Sequence, residues 1–135
     1  MTLTAILSAG LFSALVTTPT AITPEMTLPD YAYEAAAEVG LAVGVTPFCQ
    51  DITAREDAVS ARLFGLWERL VSDGYDVAAV QAHLESDTGN RRIEAWLRDF
   101  QARHGAADTN LSDNCVAMRA EAGENPSLSS LLNLN

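Results

Sequence analysis

Apolar positions recur with a helical period through the middle of the chain. Five of them fall at i, i+4, i+7, i+8 and i+11, the spacing of one core-facing stripe (Val59, Leu63, Leu66, Trp67, Leu70). The tetrapeptide "TARE" just before the stripe has the pattern of a capping box, in which the Thr53 and Glu56 side chains each satisfy a free backbone amide. Gly74 follows the stripe. The pattern predicts a helix from about residue 53 to residue 73.

The segment before this helix, "DYAYEAAAEVGLAVG" at residues 30–44, is rich in helix formers. Asp30 is its candidate N-cap and Gly44 its candidate stop. Five alanines and two glycines give the segment an unusually small surface, which permits close approach of another helix. These features predict a first helix over residues 30–44.

Three more helices are predicted after the central one. They begin near Asp76, near Ser86 or Asp87, and near Ser112, each at a residue suited to an N-cap. The tail "SLSSLLNLN" is expected to add a turn or two, capped by Ser127. No segment shows the sustained alternation of a β-strand. The sequence therefore predicts an all-α fold, a small bundle of about five helices.

The first 21 residues contain no charged side chain, and the apolar run from Leu3 to Val16 is too short to span a bilayer comfortably. This pattern predicts a signal peptide at residues 1–21 and a single helical domain at residues 22–135. The leader lacks the usual basic residue, and Pro19 stands where the cleavage site prefers a small residue. The alternative is a buried N-terminal helix, which a run without an amphipathic face fits poorly. We expect export to the periplasm, with no membrane span once the leader is removed.

The charge balance limits the classes of partner that we expect for the protein. Eighteen Asp and Glu residues oppose eight basic residues, all arginine, for a formal net charge of −10. A chain this acidic repels phosphate backbones and anionic headgroups, so nucleic acid is excluded as an expected partner. Cationic partners remain open, and so does the plainer interpretation that the charge keeps a small exported protein soluble.

Cys49 and Cys115 are the two cysteines of the sequence, 66 positions apart. In an exported protein an even pair is most simply a disulfide, and closing so long a loop would constrain the unfolded chain by about 4 kcal/mol. Cys49 also precedes a helix-start signal, so the alternative is a reactive thiol. The wide separation lacks the paired spacing of zinc ligands. We expect one structural disulfide, Cys49–Cys115.

Three features together resemble a known group of proteins. They are "CQDITAR" at the opening of the long helix, "DGYDVAAVQAHLESD" as a glycine–tyrosine turn into a short acidic helix, and a late single cysteine. Over roughly Phe48 to Ala122 the chain resembles a family of small uncharacterised exported helical proteins of alphaproteobacteria. The resemblance implies export, helical class and the cysteine pair. It implies no assigned activity and no catalytic residue.

The segment "HLESD" places His83, Glu85 and Asp87 near one helix end, where they could form a weak metal or acid–base cluster; a solvated helix end is the alternative. No GxSxG, HExxH, phosphate-loop or dinucleotide fingerprint is present. We therefore predict no catalytic residue, no cofactor and no resident metal. The expected function is a non-enzymatic envelope module with an unidentified protein partner. The alternative is a small-molecule-binding or metal-binding protein, or a small hydrolase, using the His83 region.

Overall fold

The computed structural model describes residues 26–107 and 109–135, and the predicted signal peptide lies outside them. The described chain is mostly helical. Its elements are α1 (Asp30–Gly44), a 3-10 turn (Thr46–Phe48), β1 (Ile52–Ala54), α2 (Glu56–Ser72), α3 (Val77–Glu85), α4 (Asp87–Arg103), α5 (Leu111–Glu124), α6 (Pro126–Ser129) and β2 (Leu132–Leu134). The predicted all-α class is confirmed, and the tail forms a short sixth helix.

Helix α1 is the central element, because it packs against both α2 and α4. Alanines on its inner faces are fully or almost fully buried, which lets the neighbouring backbones approach closely (Ala32, Ala35, Ala37, Ala42). One half of the core gathers around the start of α1 and includes Leu66, Leu70 and Val80. The other half gathers around its end and includes Phe100, Met118 and Leu128.

Two predicted helix starts are confirmed by side-chain caps. The Asp76 carboxylate accepts a hydrogen bond from Ala79 N at the start of α3, and the Ser86 hydroxyl accepts one from Gly89 N at the start of α4. Gly89 then lies against the preceding helix so closely that a Cβ atom there would be 2.1 Å from the carbonyl oxygen of His83. This contact fixes the tight junction between α3 and α4.

The capping box predicted at Thr53 and Glu56 is wrong. Thr53 lies in β1, paired with Asn133 of β2, and α2 begins at Glu56 without a side-chain cap. The two three-residue strands run antiparallel, with Ile52 opposite Leu134 and Ala54 opposite Leu132. Backbone pairing with a distant segment thus replaces the local cap.

The predicted cap at Ser127 is also wrong. Asn125 caps α6 instead, because its side-chain oxygen accepts hydrogen bonds from the backbone N–H groups of Ser127 and Leu128. The Ser127 hydroxyl is directed to the interior, where it donates to the Glu38 carboxylate. This exchange of roles joins the C-terminal segment to the centre of the fold.

Candidate functional site

The two cysteines form a disulfide, as predicted. Cys49 follows the 3-10 turn after α1, and Cys115 lies in the second turn of α5, with their Cα atoms 5.8 Å apart. The bond therefore ties the connection between α1 and β1 to α5. Since both sulfur atoms are used in it, neither cysteine serves as a thiol nucleophile in this state of the chain.

The three residues predicted as a weak ligand cluster lie in different surroundings. His83 is buried, and its Nε2 atom lies 2.7 Å from the hydroxyl oxygen of Tyr33 on α1. That hydroxyl also accepts a hydrogen bond from Leu28 N. Glu85 and Asp87 are exposed. The geometry makes His83 an internal hydrogen-bonding partner that fixes Tyr33.

A buried carboxylate, Glu38, lies at the middle of α1 with 0% of its surface exposed. Its Oε1 atom accepts hydrogen bonds from Nη2 of Arg62 at 2.7 Å and from the Ser127 hydroxyl at 2.6 Å. Its Oε2 atom accepts one from Nδ2 of Asn125 at 2.8 Å. Arg62 on α2 donates to the Ser127 hydroxyl as well. Both oxygens of this buried carboxyl group therefore have hydrogen-bond partners, one of which is a guanidinium.

A second carboxylate, Glu121 on α5, is 4% exposed and adjoins the first group through Asn125. Its Oε1 atom accepts from Nη1 of Arg103 at 2.6 Å and from Nε2 of His104 at 2.7 Å, and its Oε2 atom accepts from Asn125 at 3.3 Å. Burial alone would raise the pKa of Glu121, but the hydrogen bonds from His104, Arg103 and Asn125 outweigh it and hold the pKa below its usual value. Glu121 is therefore ionised at neutral pH.

Hydrogen bonds join the whole set around two buried carboxylates, and we call it the carboxylate network (Glu38, Arg62, Arg103, His104, Glu121, Asn125, Ser127). Within the described residues, no buried side-chain nitrogen or oxygen lacks a hydrogen-bond partner. The network therefore holds α1, α2, α4, α5 and α6 together, and its titratable groups are occupied with one another.

At one end the network reaches the surface. The His104 side chain is 10% exposed and the neighbouring Glu124 is exposed. The ligand atoms of His104, Glu121 and Glu124 all lie within 4.8 Å of one another, which in the described part of the chain is the one compact group of His, Cys, Asp or Glu ligands. An imidazole with two carboxylates is a donor set that divalent metals accept.

Helix α2 carries a second apolar face, directed away from the core. Phe64 is 66% exposed and Val71 54% exposed, and the partly buried Trp67 lies between them. With Glu68 and Ser72 these side chains line a shallow groove of about 390 Å³. We call this surface the outer face of α2 (Phe64, Trp67, Glu68, Val71).

The carboxylate network was not predicted from the sequence. One signal for it was present, since Glu38 falls among alanines that the helical period places on the interior side of α1. A charge at such a position requires buried partners. Nothing local identifies those partners, because they come from residues 24, 87 and 89 positions away.

Comparisons with known proteins place the chain without giving it a role. The model of one protein family, a family of unknown function, matches residues 28–133. No curated protein and no solved structure matches the chain. In the part of the chain that the structure describes, no helix has both the length and the hydropathy to cross a membrane.

Proposed function

The chain belongs to the DUF5333 family, a family of unknown function, and we propose that it is a non-enzymatic exported helical module that binds another protein in the cell envelope. The binding surface is the outer face of α2.

The main support for the proposal is that α2 has two apolar faces, one packed in the core and one exposed to solvent. Its inner face buries Val59, Leu66 and Leu70 in the core. The opposite face exposes Phe64 and Val71 around one groove. Large apolar side chains grouped in this way are costly in water, and such patches commonly mark interaction sites. Aromatic side chains are also the residues that most often dominate binding energy.

The charge of the protein indicates the chemistry of the partner. Glu68 lies within the groove, and the chain as a whole carries a net charge of −10. Complementary charge speeds encounter and selects partners. The expected partner therefore presents an apolar side chain flanked by lysine or arginine.

The non-enzymatic part of the proposal is supported by the carboxylate network, whose acidic and basic groups are bonded to one another. Export is supported by the disulfide, since such bonds persist in oxidising compartments, and by the resemblance to exported alphaproteobacterial proteins over Phe48–Ala122. The alternative, ligand binding or hydrolysis in the His83 region, gains no support from the geometry, because the His83 ring is engaged by Tyr33.

The test is mild crosslinking of tagged protein in its native envelope, followed by affinity purification of wild type and the double variant Phe64→Ser/Val71→Ser. The control is Val116→Ser, because Val116 is 68% exposed on a different helix, α5. We expect wild type and the control to retain the same stoichiometric protein and the double variant to lose it.

The purified complex is then expected to weaken as salt is raised, since exposed charges are screened. All three chains are expected to unfold at the same temperature, because the changed side chains are exposed. Equal retention of the partner by the double variant would overturn the proposed surface. Recovery of the wild-type protein alone would overturn the interaction module itself.

A further inference from the structure

We infer that His104, Glu121 and Glu124 form a binding site for a divalent cation of the zinc type. The site lies at the surface end of the carboxylate network, between the end of α4 and the end of α5. It is separate from the outer face of α2, and its existence does not depend on the proposed function.

The three donors come from two different elements. His104 directly follows α4, and Glu121 and Glu124 are three residues apart on α5, so their side chains lie on neighbouring parts of one helix face. Donor atoms bound to one zinc ion lie about 3.4 Å from each other, given metal–ligand distances near 2.1 Å in a tetrahedral arrangement. Nε2 of His104 and Oε1 of Glu121 are 2.7 Å apart, so a bound ion requires these two atoms to separate by about 0.7 Å. The exposed Glu124 side chain must also rotate toward them, and its ligand atom already lies within 4.8 Å of the other two.

The hydrogen bonds around Glu121 suit a metal ligand. Oε1 now accepts from both His104 and Arg103. A cation bound between Nε2 of His104 and Oε1 of Glu121 takes the place of the Nε2 proton, which is released to solvent or carried by Nδ1 of the same ring. The Arg103 bond to Oε1 then remains in the outer shell. Asn125 holds the other oxygen of the same carboxylate. Ligating carboxylates are typically oriented by such outer hydrogen bonds, so two of them are already in place.

The charged groups around the site have a net negative charge that a divalent cation would neutralise. Asp99, Glu121 and Glu124 supply three carboxylates, and Arg103, paired with both Asp99 and Glu121, supplies one guanidinium. With His104 neutral, the group has a formal net charge of −2, which one divalent ion cancels. Glu124 has no hydrogen-bond or ion-pair partner among the described residues, so binding costs it no existing contact.

The imidazole decides the class of ion. Carboxylates alone suit Mg²⁺ and Ca²⁺, whereas a histidine nitrogen favours Zn²⁺ and its neighbours in the transition series. Three protein donors on a tetrahedral ion leave the fourth position open to water.

The experiment uses the oxidised, metal-free protein titrated with Zn²⁺ alone. Binding is measured by calorimetry, and the ring signals of the two histidines are followed by NMR. We expect one equivalent of Zn²⁺ to bind and to shift the ring signals of His104. The signals of His83 stay in place and act as an internal reference, since its ring is buried against Tyr33.

The decisive variant is Glu124→Gln, which removes the exposed donor without touching the buried network. We expect it to weaken Zn²⁺ binding about tenfold or more, as loss of even an outer-shell partner does. The matched control is Asp87→Asn, which removes one exposed carboxylate beside His83 and so makes the same change in net charge as Glu124→Gln. It should bind Zn²⁺ as wild type does.

Three results would overturn the inference: no saturable binding of Zn²⁺, equal binding by Glu124→Gln and wild type, or a shift of the His83 signals in place of those of His104. The last would instead support the cluster that the sequence predicted at His83, Glu85 and Asp87.

Discussion

Replacing Glu38 with glutamine tests whether the buried carboxylate stabilises the fold. The substitution keeps the size of the side chain and removes its charge. Oε1 would still accept from Arg62 and Ser127, but an amide NH2 group would replace Oε2 and face the Nδ2 donor of Asn125 at the present distance of 2.8 Å. Asn125 cannot simply turn its amide over, because its oxygen already caps α6.

The expected cost follows from these contacts. Two hydrogen bonds to a charged acceptor become bonds to a neutral one, a loss of about 1 kcal/mol each. The bond to Asn125 is lost, although Nδ2 of Asn125 keeps its bond to Glu121. The buried NH2 group of the new glutamine then faces a donor where an acceptor is needed, which costs about 1–2 kcal/mol more. The neutral amide is easier to bury, and Arg62 keeps 28% of its side chain exposed to water, so part of the loss is recovered. We expect Glu38→Gln to lower the free energy of unfolding by about 3 kcal/mol.

The assay is urea-induced unfolding followed by circular dichroism at pH 7 with the disulfide intact. Glu34→Gln is the matched control, because Glu34 lies one turn earlier on α1 and is exposed. The control should change the free energy of unfolding by less than about 0.5 kcal/mol. A cost for Glu38→Gln no larger than that of the control would refute the claim that the carboxylate network stabilises the fold.

Three more predictions concern the same fold. Replacing both cysteines of the Cys49–Cys115 disulfide with serine should lower stability by about 4 kcal/mol in urea titrations, because the bond closes a loop across 66 positions; a loss under about 1 kcal/mol would contradict this entropic account. Since the pKa of Glu121 is lowered in the folded state, its contribution to stability is present above its usual pKa of 4.5 and is lost as pH falls through the lowered value. The difference in free energy of unfolding between wild type and Glu121→Gln, measured with EDTA present, should therefore shrink as the pH falls below 4.5. A difference that stays constant with pH would contradict the lowered pKa of Glu121. Gly89→Ala should destabilise by about 1–3 kcal/mol through overpacking against α3, whereas Gly65→Ala, with open space around its Cβ position, should stabilise by up to about 1 kcal/mol; equal melting temperatures for the two variants would refute the close contact at Gly89.

The sequence was a good guide where a signal repeats along the chain or is local. The stripe from Val59 to Leu70 recurs at the helical period, and α2 buries Val59, Leu66 and Leu70 as that stripe predicts. Asp76 and Ser86 cap the helices that follow them because each cap needs only a backbone amide three residues away. Such contacts depend only on residues that are close together in the sequence.

The errors arose where distant segments compete with local chemistry. Thr53 and Glu56 have the spacing of a capping box. Thr53 nevertheless lies in a strand, because β1 pairs with β2 about 80 residues further along the chain. Strands of three residues are too short to show an alternating pattern. The candidate metal site was missed for the same reason, since His104 and Glu121 meet only after α4 and α5 have packed.

The late position of β2 and α6 affects how the chain reaches its final form. β1 receives its partner strand from residues 132–134, and Glu38 receives two of its three hydrogen-bond donors from residues 125 and 127. Glu38 therefore gains its full set of buried hydrogen-bond donors only after residues 125 and 127 have been synthesised. The native structure of the described segment is consequently expected to close last at its C-terminal end.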